Sequence, residues 1–258
     1  MKRFENKVVV VTGASRGIGQ AICIAFAREA AQVVGVARSD LGATQAQVKA
    51  AGGTFIALPA DLASGTQSEA QNVVARILEQ TGRIDALVNN AGIIRRVPAV
   101  DFSEADWNDV LRVNLSAPFF LAQAAAKWWI AHGRTAATPD ARLKIVNIAS
   151  LLSFQGGITV PAYAASKHGL AGITKALANE WASQRINVNA IAPGYITTEN
   201  TQALREDANR NAAILSRIPE GRWGVPEDIA GGCVFLASPD ANYLNGAILN
   251  IDGGWLGR

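Results

Sequence analysis

Short apolar runs recur along the chain at residues 8–11, 33–36, 54–58, 86–88, 145–148, 186–191 and 248–251. Each is too short for a helix, and the runs at 8–11, 33–36 and 86–88 carry no polar residue, which predicts strands covered on both faces of a parallel sheet. Between them the periodicity changes. Ile18, Ile22, Ala25 and Phe26 recur at helical spacing after the first run. Phe102-Ser103-Glu104-Ala105-Asp106 has the form of a helix N-cap with an acidic first turn, and an Ala-rich helical stretch opens at Tyr163. Residues 197–216 are polar and helix-prone, and Val225-Pro226-Glu227-Asp228 caps a further helix running to Leu236. Strand and helix alternate over the whole length, with no internal repeat and no composition break. The pattern predicts an α/β chain of the Rossmann type: one domain, 1–258, built on a doubly wound parallel sheet of about seven strands.

Composition narrows what such a domain can do. With 258 residues, 49% hydrophobic and 17% charged, the chain can bury one large core. The net charge is +3 and the pI about 9.0, but the basic residues are scattered and form no patch for nucleic acid. No apolar run approaches a membrane span, and the charged residues 1–7 precede a strand too short for a signal segment. Cys23 and Cys233 lie in apolar helical segments with neither metal-ligand spacing nor a disulfide framework, so they read as small buried hydrophobes in a reducing cytoplasm. No metal site is expected.

The first strand runs into Thr12, Gly13, Gly17 and Gly19, and then a helix. In that context Gly13 allows a tight turn, Gly17 lets a pyrophosphate approach the backbone and Gly19 lets helix and strand pack closely. The free N–H groups of the helix start would face the anion. The second strand ends at Ala37, Arg38 and Ser39, where an acid would accept the adenosine ribose hydroxyls of NAD. Ala37 occupies that place, and Asp40 comes slightly late. Arg16 and Arg38 could grip a 2′-phosphate, which favours NADP(H); two solvated arginines are the plainer reading.

The run at 145–148 leads to Ser150, and Tyr163 and Lys167 follow at i and i+4 of a helix, on one face. Moving a phenol by about 3 pKa units toward neutrality takes roughly 4 kcal/mol. An ammonium about 4 Å away at an effective dielectric of about 20 supplies that much. Ser150 would hydrogen-bond the same substrate oxygen. Elsewhere, Asn114 sits among Val110, Leu111, Val113 and Leu115 and needs a partner, such as water. Trp128, Trp129, His132 and His168 read as packing or surface residues, and 133–142 as an exposed loop holding Pro139. Arg95 and Arg96, just past a strand end, could hold a carboxylate, or form a solvated or inter-subunit pair. The segment near 195–225, after a strand end, is placed where a substrate lid belongs.

Thr12-Gly13, Gly17, Gly19, Asp61, the Asn89-Asn90-Ala91-Gly92 run, Asn114, Ser150, Tyr163, Lys167 and Pro193-Gly194 with a threonine at 197 or 198 stand in an order that resembles the short-chain dehydrogenase/reductase family. The resemblance covers essentially the whole chain. It implies an NAD(P)-dependent oxidoreductase in which Tyr163 is the acid/base, Ser150 holds the substrate oxygen, Lys167 assists both tyrosine and nicotinamide ribose, and Asn114 positions a relay water. It further implies cofactor contacts from Gly13, Ser15, Arg16, Gly17, Ile18 and Gly19, from Asp61, Leu62, Asn89, Ala91 and Gly92, and from Tyr163, Lys167, Pro193, Gly194, Ile196 and Thr198; Arg38 joins them from its own place after the second strand, not from the resemblance.

Segments around Arg95-Arg96, 148–157, 192–196 and 217–224 are closest to the family's sugar-acid dehydrogenases of uronate breakdown. That subgroup implies a small keto-deoxy sugar acid as substrate, NAD(H) as cofactor and a homotetramer with the apolar C-terminal residues 248–256 near an interface. Arg95, Arg96, Gln155, Tyr195 and Asn200 are then the substrate-binding candidates. Gluconate or a 3-oxoacyl thioester as substrate, and a dinucleotide-sensing binding protein without turnover, are the rival readings.

Overall fold

Seven parallel strands form one sheet in the order β3-β2-β1-β4-β5-β6-β7. A computed structural model of the chain describes residues 2–133 and 140–257. The strands are β1 (Val8–Thr12), β2 (Gln32–Ala37), β3 (Thr54–Pro59), β4 (Ala86–Asn89), β5 (Leu143–Ile148), β6 (Ile186–Pro193) and β7 (Ile248–Ile251). The predicted strands are all present, with ends displaced by at most two residues. Each of β1, β4, β5 and β6 is buried along its whole length, as expected of strands covered on both faces.

One face of the sheet packs on α1 (Gly17–Arg28), α2 (Gly42–Ala50) and α9 (Pro226–Ala237), with Ile22, Phe26, Ile229 and Val234 at its centre. On the other lie α3 (Gln67–Thr81), α5 (Ala117–His132) and α6 (Pro161–Trp181), whose Ile77, Leu121, Trp129 and Leu177 meet Val10, Leu87 and Ile145. Cys23 and Cys233 are buried in the first of these layers. His132 stacks on Trp128 and its ring bonds the Trp128 carbonyl, so it serves packing. Strand order reverses direction about β1, and the crevice between the C-terminal ends of β1 and β4 is where such sheets bind ligands.

The helix expected to carry Asn114 is interrupted. Here α4 (Glu104–Leu111) passes into a π turn, Arg112–Ser116, before α5 resumes, and Asn114 is fully buried in it. The helix-prone stretch after β6 is likewise broken into a 3₁₀ turn (Glu199–Thr201), α7 (Gln202–Glu206) and α8 (Ala208–Leu215). Asp207 accepts from the N–H groups of Asn209 and Arg210 at 3.0 Å and so starts α8 afresh. Most of the loop read at 133–142, including Pro139, lies outside the described residues.

Candidate active site

The C-terminal strand ends enclose a crevice of about 440 Å³. One wall is the turn between β1 and α1, where Gly13 and Gly17 have φ of +66° and +55°. Neighbouring atoms staple this turn. The Thr12 hydroxyl accepts from the N–H groups of Asn90 and Ala91 at 3.0 Å, and Asn90 Nδ2 donates to the carbonyls of Thr12 (2.9 Å) and Gly13 (3.2 Å). A Cβ on Gly13 would come within 2.9 Å of Ala91 Cα, and one on Gly19 would collide with the Gly13 carbonyl oxygen. Arg16 stands at the N-cap of α1 but its side chain caps no N–H, so the first turn stays open to an anion. The cradle therefore fits the pyrophosphate of a dinucleotide.

Opposite that turn, Ser150, Tyr163 and Lys167 line the same crevice. Ser150 follows β5 and its Oγ accepts from Leu152 N at 3.2 Å; Pro161 starts α6 and places Tyr163 in its first turn. Burial pushes the Tyr163 phenol above its ordinary range, against the opposing pull of its hydrogen bond to Ser150 and of the Arg96 guanidinium. Lys167 is buried, donates from Nζ to the Ile148 carbonyl at 2.6 Å and lies 5.5 Å from the Tyr163 ring centroid. Burial lowers its pKa to about 8. The ammonium expected to acidify Tyr163 is thus anchored on a backbone carbonyl beside the phenol's ring. In this arrangement Ser150 and Arg96 pull the phenol down.

Asn114 receives the Ile93 N–H at 2.8 Å and donates to the Ile93 carbonyl (2.9 Å) and Ser166 Oγ (3.2 Å). Both its N–H bonds are committed, so only its carbonyl oxygen has capacity left for a water.

Gly13, Ser15, Arg16, Gly17, Ile18 and Gly19 meet Ala91, Gly92, Pro193, Gly194, Ile196, Thr198 and Asn200 around this crevice. Other expected residues stand elsewhere. The Asn89 side chain is buried beneath the sheet end, donating to Asn147 Oδ1 (2.9 Å) and the Pro118 carbonyl (3.3 Å). Since alternate strand residues face opposite sides, it is Asn90 that lines the crevice. Arg38 and Asp61 lie outside it and face each other at 3.8 Å, while Leu62 packs against the core under β2 and β3. Arg16 pairs across the crevice mouth with Glu199 at 3.0 Å.

The substrate candidates also divide. Arg95 is drawn to Asp106 at 3.2 Å, whereas Arg96 donates to the Asn200 carbonyl at 2.9 Å and acts on Tyr163. Tyr195 packs between Trp223 and Trp255, with ring centroids 5.4 and 4.8 Å away, and Gln155 Oε1 accepts from Trp255 Nε1 at 3.3 Å. Both belong to an apolar wall behind the crevice. Sequence reasoning missed Ile148, Ala149, Glu199 and Thr201 as site residues, all of which line it. Ala149 lies between the end of β5 and Ser150, but nothing in the sequence signals how the 3₁₀ turn presents Glu199 and Thr201.

The family model described as "Enoyl-(Acyl carrier protein) reductase" matches residues 13–256. The 2-dehydro-3-deoxy-D-gluconate 5-dehydrogenase of Escherichia coli K12 is 50% identical over 255 residues, covering 99% of this chain and 97% of its own. That of Bacillus subtilis 168 is 50% identical over 256 residues, covering 99% and 96%. A crystal structure from Agrobacterium tumefaciens, provisionally described as a 2-deoxy-D-gluconate 3-dehydrogenase with bound NADP, superposes with a TM-score of 0.91 at 55% identity and 98% coverage of both chains.

Proposed function

We propose, since the chain belongs to the short-chain dehydrogenase/reductase family, that its crevice interconverts a secondary alcohol and a ketone on a keto-deoxy sugar acid, with 2-dehydro-3-deoxy-D-gluconate as the leading candidate. The chain is an NAD(P)-dependent oxidoreductase acting on CH–OH groups. The observation that carries the choice of an acidic substrate is Arg96, anchored to the Asn200 carbonyl and acting on Tyr163. A carboxylate held by that guanidinium would lie beside the reacting oxygen.

The geometry supports the following roles. A bound nicotinamide would supply the carbon that accepts or donates hydride. Ser150 and Tyr163 hold the substrate oxygen. In the oxidative direction the Tyr163 phenolate takes the hydroxyl proton as the C–H pair leaves as hydride and the C=O bond forms; reduction reverses each transfer. Lys167 is held by the Ile148 carbonyl within reach of the cofactor side of the crevice, and Asn114 ties the exit of β4 to α6 while offering its carbonyl oxygen to a water. The glycine turn and the segment from Pro193 to Thr198 cradle the dinucleotide.

Arg16 and Arg38 support NADP(H) over NAD(H), because a 2′-phosphate would replace exposed acids as their partner. The bound NADP of the A. tumefaciens structure agrees with that choice. Residues near 195–225 act as the substrate lid. No described helix is long and apolar enough to cross a membrane, and we read the chain as a cytoplasmic homotetramer. Exposed Phe235 on α9 and Leu249 on β7 support an interface there, and a monomeric mass in light scattering would remove that reading.

The test is a cofactor-coupled screen of keto-deoxy sugar acids, gluconate and 3-oxoacyl thioesters with NADP(H) and NAD(H). Turnover is expected on the sugar acids, with the higher kcat/KM for NADP(H). Preference for acyl thioesters would reassign the substrate, and cofactor binding without turnover on any of them would point to a sensor.

A further inference from the structure

At the opposite end of the sheet, the strand starts border a second cavity of about 460 Å³. Lys144, the second residue of β5, lines it, and Ser150 lies beyond the other end of that strand. Six residues at about 3.3 Å each separate the two sites by about 20 Å.

The two acids that line this cavity are already paired, and Asp240 beside it acts on Arg3. Asp85 receives Arg83 at 2.6 and 2.8 Å and Lys7 at 3.2 Å; Asp140 receives Arg185 at 3.3 Å; and Arg3 is held by Glu29 at 2.6 Å. Two cations remain. Lys144 is only 4% exposed, and its Nζ has a single described partner, Asn242 Oδ1 at 2.8 Å. Arg142 reaches Asn187 Oδ1 at the long distance of 3.5 Å. Among the described residues, neither has a carboxylate within ion-pair distance. Burial and the neighbouring Arg142 push the Lys144 ammonium down to about 8, as expected of a cation enclosed without a counter-ion. An ammonium enclosed this way, with two N–H bonds to offer and a guanidinium lining the same space, is built to receive an anion.

We propose that this cavity binds a phosphate group, carried by a small phosphomonoester, between Lys144 and Arg142. The volume exceeds what a bare phosphate fills, and Phe4, Ala237 and Pro239 offer an apolar wall to the organic part. The Asn242 amide orients the ammonium toward the space. The site is separate from the dinucleotide crevice, and its assignment does not depend on the reading of that crevice.

Thermal unfolding with the crevice saturated by NADPH tests this, comparing glycerol phosphate, inorganic phosphate and chloride at matched ionic strength. A saturable rise in Tm of roughly 5–10 °C is expected at a hundredfold excess of ligand over Kd. Lys144→Met should abolish it; if that variant fails to fold, Arg142→Gln should weaken it at least tenfold in midpoint concentration. A lower midpoint for glycerol phosphate assigns the site to esters, and equal midpoints assign it to phosphate itself. No response beyond chloride, or the same response in folded variants, overturns the proposal.

Discussion

Tyr163→Phe is expected to lower kcat by about 10³-fold, within the 10²–10⁴ range typical of a lost acid/base, while leaving the protein folded and cofactor bound. Tyr163 lines the crevice, bonded to Ser150 and under the pull of Arg96, and no other described group there pairs a titratable hydroxyl with a serine. Phenylalanine keeps the ring and its packing, so the loss is confined to the proton. Cofactor fluorescence and circular dichroism separate this from misfolding. Undiminished turnover would remove the phenol from the reaction. The sign of the pH dependence follows from the same group. Burial raises the phenol above its ordinary range, so the protonated form that reduction needs prevails near neutrality. Oxidation needs the phenolate and should accelerate as pH rises.

Arg96→Ala should lower kcat/KM for a sugar acid by about 10–100-fold, the equivalent of one charge-assisted hydrogen bond of about 1.5–3 kcal/mol. Neutral carbonyl substrates should lose far less, since they retain Ser150 and Tyr163 and forfeit only the guanidinium's pull on the phenol. Arg95→Ala supplies the contrast. Its guanidinium is held by Asp106 on α4, so its removal should change kcat/KM by no more than a few-fold on either class. Steady-state kinetics on paired acidic and neutral ketones reads the difference. An equal loss on both classes would reduce Arg96 to a brace for the Asn200 carbonyl.

Much of this architecture was legible before any coordinates. The run at 8–11 is apolar on both faces, and only a doubly covered strand accommodates that. The glycine turn was readable because φ at Gly13 and Gly17 and the contact between Gly19 and the Gly13 carbonyl exclude side chains. The i, i+4 pairing of Tyr163 and Lys167 followed from helix geometry, but the direction in which each side chain leans did not. Lys167 turns to a backbone carbonyl that only the folded β5 presents. Asn89 and Asn90 were one motif in sequence; the pleat sends the first under the sheet and the second beneath the glycine turn. Arg95 and Arg96 were equivalent on paper until α4 supplied Asp106 to one of them. Lys144 was invisible as a buried cation, because its burial depends on Asn242, almost a hundred residues later in the chain.

The most direct test of hydride exchange at this crevice uses reduced cofactor carrying deuterium on the transferring face of the nicotinamide. In the presence of the ketone form of the substrate, the 2,5-diketone that oxidation of 2-dehydro-3-deoxy-D-gluconate at C5 would give, mass spectrometry should find one deuterium on the newly formed carbinol carbon with the wild-type chain, and almost none with the Tyr163→Phe chain over the same interval. Label that stays on the cofactor, or transfer that proceeds as fast without the phenol, would contradict the account.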